Sequence, residues 1–106
     1  MTDFSEQIYR LLMNVPKGRV TTYKALAQAL NTKSYRAVGQ ALRRNPYAPK
    51  VPCHRVVASD GTLGGFNGKR GGRELEKKKK LLASEGVKIL GNRVDNFKKI
   101  VINNIE

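Results

Sequence analysis

The sequence predicts a compact, mostly α-helical single domain with short β segments. Apolar residues recur at helical spacing in four stretches, each bounded by a residue that caps or breaks a helix, while β-branched runs such as Val56-Val57 are long enough only for short strands. At 106 residues the chain can enclose one hydrophobic core but not two. One domain over residues 1–106 is therefore expected.

Asp3-Phe4-Ser5-Glu6 has the pattern of a capping box. Phe4, Ile8, Leu11, Leu12 and Val15 form a helical stripe that stops at Pro16 and Gly18, which places a first helix at about residues 4 to 14. Thr22 can cap a second helix through Leu30, with Tyr23 in its first turn and Leu26, Ala27 and Leu30 facing inward. Asn31-Thr32-Lys33 breaks that pattern, and Ser34 can cap a third helix, Tyr35 to Arg44, whose Ala37-Val38 and Ala41-Leu42 pairs make an apolar side. Two short helices around a tight turn, the second bearing Arg36, Arg43 and Arg44, read as a winged-helix-like helix-turn-helix. Small helical domains also use such a pair as plain scaffolding, so the pattern alone does not specify DNA binding.

Asn45-Pro46 ends the third helix, and Pro46, Pro49 and Pro52 stiffen the stretch that follows. Ser59-Asp60-Gly61 is a turn signal. Leu63-Gly64-Gly65-Phe66-Asn67-Gly68 lacks the Lys-Ser/Thr ending of a phosphate-binding loop. It reads either as a plain surface loop or as one whose amides approach a flat ligand closely. A fourth helix runs from about Arg73 through Ser84 and stops near Gly86, with Leu75 and Leu82 in register and Lys77 to Lys80 around the outside as a solvated face. Val87 to Leu90, the turn at Gly91-Asn92 and the apolar stretch through Ile102 form a short hairpin or irregular cover.

The formal net charge of +13 points to a polyanionic partner, nucleic acid first and an acidic membrane surface second. No apolar run approaches the roughly 20 residues that span a bilayer, and the amino terminus lacks the basic and apolar regions of a secretory signal. One cysteine excludes an intramolecular disulfide, and with one histidine it cannot supply an ordinary all-protein zinc site. An intracellular, reduced protein without metal or cofactor is expected, cytoplasmic, or nuclear if eukaryotic, and monomeric.

That single cysteine and single histidine are neighbours, in Pro52-Cys53-His54-Arg55-Val56-Val57. A thiol is a strong nucleophile only as the thiolate, and an unperturbed cysteine, with a pKa of about 8.5, is only slightly ionised near neutrality, so a catalytic thiol needs a base or cation close by. Adjacent side chains on a regular strand point to opposite faces, so Cys53 and His54 can cooperate only at a turn or a distorted strand start. Pro52 supplies one, because it fixes its own φ and restricts Val51.

In order and spacing these features resemble the active-site domain of the O6-alkylguanine-DNA alkyltransferases over about residues 4 to 90. The resemblance rests on the Pro52 to Val57 motif, Thr22-Tyr23, Arg36-Ala37-Val38-Gly39, Asn45-Pro46, Gly64-Gly65-Phe66, and Leu81-Leu82 followed by Glu85-Gly86. Phe66 and Asn67 stand where relatives often have tyrosine and serine.

The resemblance implies that Cys53 attacks the alkyl carbon on guanine O6 and keeps the alkyl group. His54 would take the thiol proton through a water, with Glu85 orienting it, and the Cys53 pKa would then lie below about 8.5. Duplex DNA carrying O6-alkylguanine is the implied partner, and the target base must leave the stack to react. Arg36 would fill the vacated space, and Tyr23 would press on the target phosphate and donate to guanine N3. Ala37, Gly39, Gln40, Ala41 and Arg43 would complete a slim recognition helix in the minor groove. Val56, Phe66, Asn67, Gly68 and Asn45 would shape the substrate pocket, with the Cys53 and Val56 carbonyls accepting from the guanine amine. No residue is present to remove an alkyl group from a thioether, so one turnover is expected. The rival readings are an alkyltransferase-like lesion binder, in which the cysteine is commonly replaced by tryptophan, and a basic helix-turn-helix regulator.

Overall fold

The computed structural model describes residues 4–63 and 72–105. Helix α1 (Phe4–Leu12) leads to strand β1 (Val20–Thr22), helix α2 (Tyr23–Ala29) and helix α3 (Tyr35–Arg43). A 3-10 turn at Cys53–Arg55 enters strand β2 (Val56–Val57). Helix α4 (Gly72–Ser84), strands β3 (Ile89–Leu90) and β4 (Arg93–Val94), helix α5 (Phe97–Ile100) and strand β5 (Val101–Ile102) complete the described chain. The expected class is therefore found, mostly helical with short strands. The expected capping residue Asp3 and the loop positions Phe66, Asn67 and Gly68 lie outside the described residues.

A small parallel sheet, in the order β2-β1-β5, divides the core in two. Successive strand residues point to opposite faces, so Val56 and Ile102 join α1, α2 and α3 on one side. Val20, Val57 and Val101 join Leu63, Leu82, Val87 and Val94 on the other. The helical stripe read from the first segment is the one buried, since Ile8, Leu12 and Val15 are all within the first cluster. Among the described residues no helix is long and apolar enough to cross a membrane.

Both expected caps are present. Thr22 Oγ1 accepts from the Ala25 amide at 3.0 Å, and Ser34 Oγ accepts from the Ala37 amide at 3.1 Å. Thr22 is also the last residue of β1, so its hydroxyl switches the chain from strand to helix within one residue. Thr22→Ala is expected to cost about 1 kcal/mol, read as a lower urea midpoint with an unchanged slope. The fourth helix stops where expected: Gly86 has φ +88, which favours glycine, and the Val87 amide reaches back to the Leu82 carbonyl at 3.0 Å.

Three readings need correction or completion. Lys78 does not belong to a solvated lysine face, for it is 1 % exposed. Its position follows from the helix period, because residues 75, 78 and 82 share one side of α4 and Leu82 is fully buried there. The segment after Gly91 is more ordered than irregular cover. Residues 89–94 do form the hairpin, with Ile89 opposite Val94, but α5 and β5 follow, and β5 adds a third strand beside β1. Ala41 does not lie on the exposed side of α3, as the DNA-facing role expected of it requires, since its side chain is 3 % exposed in the first cluster and its carbonyl accepts from the Tyr9 hydroxyl at 2.8 Å.

Candidate active site and nucleic-acid interface

The 3-10 turn is the distorted strand start that the Cys-His pair requires. Pro52 precedes it, the Arg55 amide bonds the Pro52 carbonyl at 3.0 Å, and the Val56 amide bonds the Cys53 carbonyl. Cys53 and His54 are both buried there, against α1 and α4. Asn45 holds the approach to the turn: its side-chain amide donates to the Val51 carbonyl at 2.8 Å, and its oxygen accepts from the Tyr47 amide at 2.9 Å.

His54 and Glu85 meet across the fold, Nε2 to Oε2 at 2.9 Å. With Nε2–H donating to the carboxylate, Nδ1 carries the lone pair, and it is buried with no hydrogen-bond partner among the described residues. The site thus holds a potential base beside the only thiol. Burial holds the imidazole below its usual pKa; Glu85 opposes this, while the charges of Arg55 and Lys78 act with it.

The sequence offers Arg55 only as a cation next to the Cys-His pair and does not reveal its contact with Glu85. Its Nε donates to Glu85 Oε1 at 2.8 Å, its Nη2 to Oε2 at 2.6 Å, and its Nη1 to the Val15 carbonyl at 2.6 Å. This two-pronged contact fixes the carboxylate that His54 meets. Burial acts to raise the Glu85 pKa, but hydrogen bonds from Arg55 and His54 outweigh it and hold the carboxyl below its usual range. Glu85 therefore serves two partners, and part of its charge is already balanced before His54 takes a proton.

The sequence reading missed Lys78. Its Nζ donates to the Val56 carbonyl at 2.7 Å and also to the Leu63 carbonyl. Burial pushes its pKa down to about 8, opposed by the nearby Cys53. The signal that could have identified it is the helix period that sets it between Leu75 and Leu82.

The thiol itself departs from expectation. Burial pushes the Cys53 pKa up, and the lesser pulls of the Asn45 side chain, the Lys78 charge and the local backbone do not overcome it. Taken with the lowered His54, the resting site is a neutral thiol beside a neutral imidazole rather than a thiolate-imidazolium pair. Val56 is fully buried, and its carbonyl and that of Cys53 each already accept one hydrogen bond, which leaves each a second lone pair.

The proposed interface residues are exposed to different degrees. Arg36, Gln40 and Arg43 are exposed on α3, Ala37 and Gly39 are half-buried, and Tyr23 is half-buried at the start of α2. A β-carbon added at Gly39 would meet nothing within 4 Å, so this glycine leaves the helix surface open. Among the described residues, no group of three or more His, Cys, Asp or Glu side chains is placed to hold a metal ion.

The family model described as 6-O-methylguanine DNA methyltransferase, DNA binding domain, matches residues 3–87. A methylated-DNA--protein-cysteine methyltransferase of Thermococcus kodakarensis is 52 % identical over 89 residues, covering 83 % of this chain and 47 % of that protein. The chain spans about half the length of the curated relatives it matches. The crystal structure of Mycobacterium tuberculosis OGT in complex with DNA superposes with a TM-score of 0.70 at 35 % identity, over 80 % of this chain and 50 % of that one. That of S. pombe Atl1 in complex with damaged DNA containing O6-carboxymethylguanine gives 0.76 at 28 % identity, over 96 % and 98 % of the two chains. The reactive-site motif, the helix pair and the match over residues 3–87 fall within one frame, and the chain belongs to the 6-O-methylguanine DNA methyltransferase family through its DNA binding domain.

Proposed function

We propose that the chain is a DNA repair protein that transfers an alkyl group from O6-alkylguanine in duplex DNA to Cys53, once per molecule. The observation that carries this reading is the buried Cys53-His54 turn, in which Glu85 holds Nε2 and Nδ1 is left as a base. In the reaction an S–C bond forms as the C–O6 bond breaks. The thiol proton passes to His54 and ends on the departing guanine, so atoms and charge balance. His54 gains a proton only as the thiolate attacks, which suits a site whose resting partners are both neutral. Cys53, His54, Glu85 and Tyr23 carry the chemistry. Val56 and Asn45 line the substrate side, the expected Phe66, Asn67 and Gly68 lying outside the described residues, while Arg36, Tyr23, Ala37, Gly39, Gln40 and Arg43 face the DNA. The protein acts as a monomer, and a thiol that must stay free suits a reducing interior.

Intact mass after incubation with duplex DNA containing O6-methylguanine tests the reading. A gain of one methyl group, located at Cys53, is expected. The near end-to-end match to S. pombe Atl1 favours a second reading, a lesion binder that does no transfer; it predicts tight binding to the modified duplex with no mass change. Cys53 weighs against it. A basic regulator would show neither lesion preference nor mass change.

Arg36 distinguishes base extrusion from chemistry. An exposed arginine on α3 that occupies the vacated stack is needed only when the base starts inside a duplex. Arg36→Ala is expected to slow transfer from duplex DNA by about 10²-fold, the equivalent of the few kcal/mol of unstacking, and to leave the rate with free O6-benzylguanine within about twofold. Equal losses on the two substrates would assign Arg36 to folding or to the reacting centre.

A further inference from the structure

The family match ends at residue 87, yet the chain beyond it is tied to the turn that follows β2. The Leu63 amide donates to the Asn92 carbonyl at 3.0 Å, and the Val94 amide to the Gly61 carbonyl at 2.9 Å. Arg93 Nη1 donates to the Asp60 carbonyl at 3.0 Å, and Thr62 bridges to Arg93. At Gly61 the backbone has φ +88, and a β-carbon there would lie 3.0 Å from Cγ of Phe97, so the α5 ring is seated directly on this turn. The far end of the same segment is anchored to β1, through Arg19 Nε to the Ile100 carbonyl at 2.9 Å and Thr21 Oγ1 to the Ile102 carbonyl at 2.8 Å.

These contacts converge on one buried residue. Leu63 is fully buried, and its carbonyl shares the Lys78 ammonium with the carbonyl of Val56. A buried ammonium is confined to the acceptors that satisfy it, so where Leu63 sits decides where Lys78 sits, and Lys78 in turn holds Val56. Val56 is three residues from Cys53.

The geometry points to the β3–β4 hairpin and Phe97 as positioning elements of the substrate site, which set the Val56 carbonyl for guanine by fixing Leu63 and Lys78. This inference rests on the transferase reading above. The Val56 carbonyl would accept from the base and does not touch the reacting atoms, so its displacement weakens binding of guanine without slowing the transfer step.

Single-turnover kinetics with free O6-benzylguanine test it, using Arg93→Ala, an exposed position, and Phe97→Ala, with Phe97→Leu as the conservative variant. Three quantities are read: the concentration at half-saturation, the limiting rate of transfer, and the fraction of molecules whose mass rises by a benzyl group. Each alanine variant is expected to raise half-saturation by about tenfold with the limiting rate within about twofold, and Phe97→Leu to recover most of the loss. A purely structural role would lower the reactive fraction and leave half-saturation unchanged, and that result in both alanine variants overturns the inference. Failure of the wild-type chain to gain a methyl group from duplex DNA containing O6-methylguanine would overturn the transferase reading, and the inference with it.

Discussion

Cys53→Ala is expected to gain no mass from alkylated DNA over any incubation, while its binding to the same duplex stays within about twofold of wild type. The chain has no second cysteine, so no other thiol can substitute. Under the proposed function, binding would draw on charge and on the α3 surface, which the substitution leaves intact, since each phosphate neutralised contributes independently of the thiol. Methyl transfer persisting in the alanine variant would place the nucleophile elsewhere. Loss of binding together with transfer would show instead that the side chain shapes the pocket.

The wild-type pH dependence follows from the neutral pair. Because the reacting form is a neutral thiol beside a neutral imidazole, the rate of transfer to free O6-benzylguanine is expected to rise as His54 loses its proton below about 6.5, to stay level through neutrality, and to rise again only above about 8.5, as the burial-raised Cys53 ionises. A preformed thiolate would give no second rise. Lys78, with a pKa near 8, loses its charge in the same range and withdraws part of the support for the thiolate. The second rise should therefore be shallower than that of a single titrating group.

Local signals located what local physics controls. Thr22 and Ser34 were legible as caps because a hydroxyl before an apolar-periodic run has one dominant use, and each does accept the expected amide. Pro52 announced the turn at Cys53 for a similar reason. The His54-Glu85 contact spans 31 positions along the chain. No periodicity encodes it, and only the family resemblance suggested it. The role of Arg55 was hidden, since a basic residue in a chain of net charge +13 has no evident partner until the part-buried Glu85 carboxylate is seen beside it. Lys78 was hidden within a run of four lysines, where residue type outweighed helical phase. Strand β5 has two residues, and its pairing with β1 is set by tertiary contacts alone.

Removing Glu85 is expected to be the most damaging change to stability. Its carboxylate takes two hydrogen bonds from Arg55 and one from His54, with the Glu85 and Arg55 side chains 9 % and 11 % exposed. Glu85→Ala leaves a part-buried guanidinium with the Val15 carbonyl and an imidazole N–H with nothing in place of its acceptor, and should cost about 3 kcal/mol, the low end for breaking a buried pair. Arg55→Met combined with Glu85→Leu should cost less than the two single changes added together, because the pair of substitutions leaves no charge stranded. The pH dependence of wild-type stability has two parts. The folded imidazole has a lowered pKa, so below about 6.5 the unfolded chain binds a proton that the folded chain refuses, and stability falls as pH drops from there toward the folded value. Glu85 has a lowered folded pKa as well. Its contribution is fully present above about 4.3, the unfolded value, and is lost as pH falls through the folded value. Urea midpoints between pH 4 and pH 8 should show the first loss in wild type, and extension below pH 4 the second. Glu85→Gln, if folded, should keep a decline below about 6.5 and lose the contribution of the more acidic step. An unchanged acid limb in that variant would remove Glu85 from the groups that hold the fold together, and would make its contact with Arg55 energetically neutral.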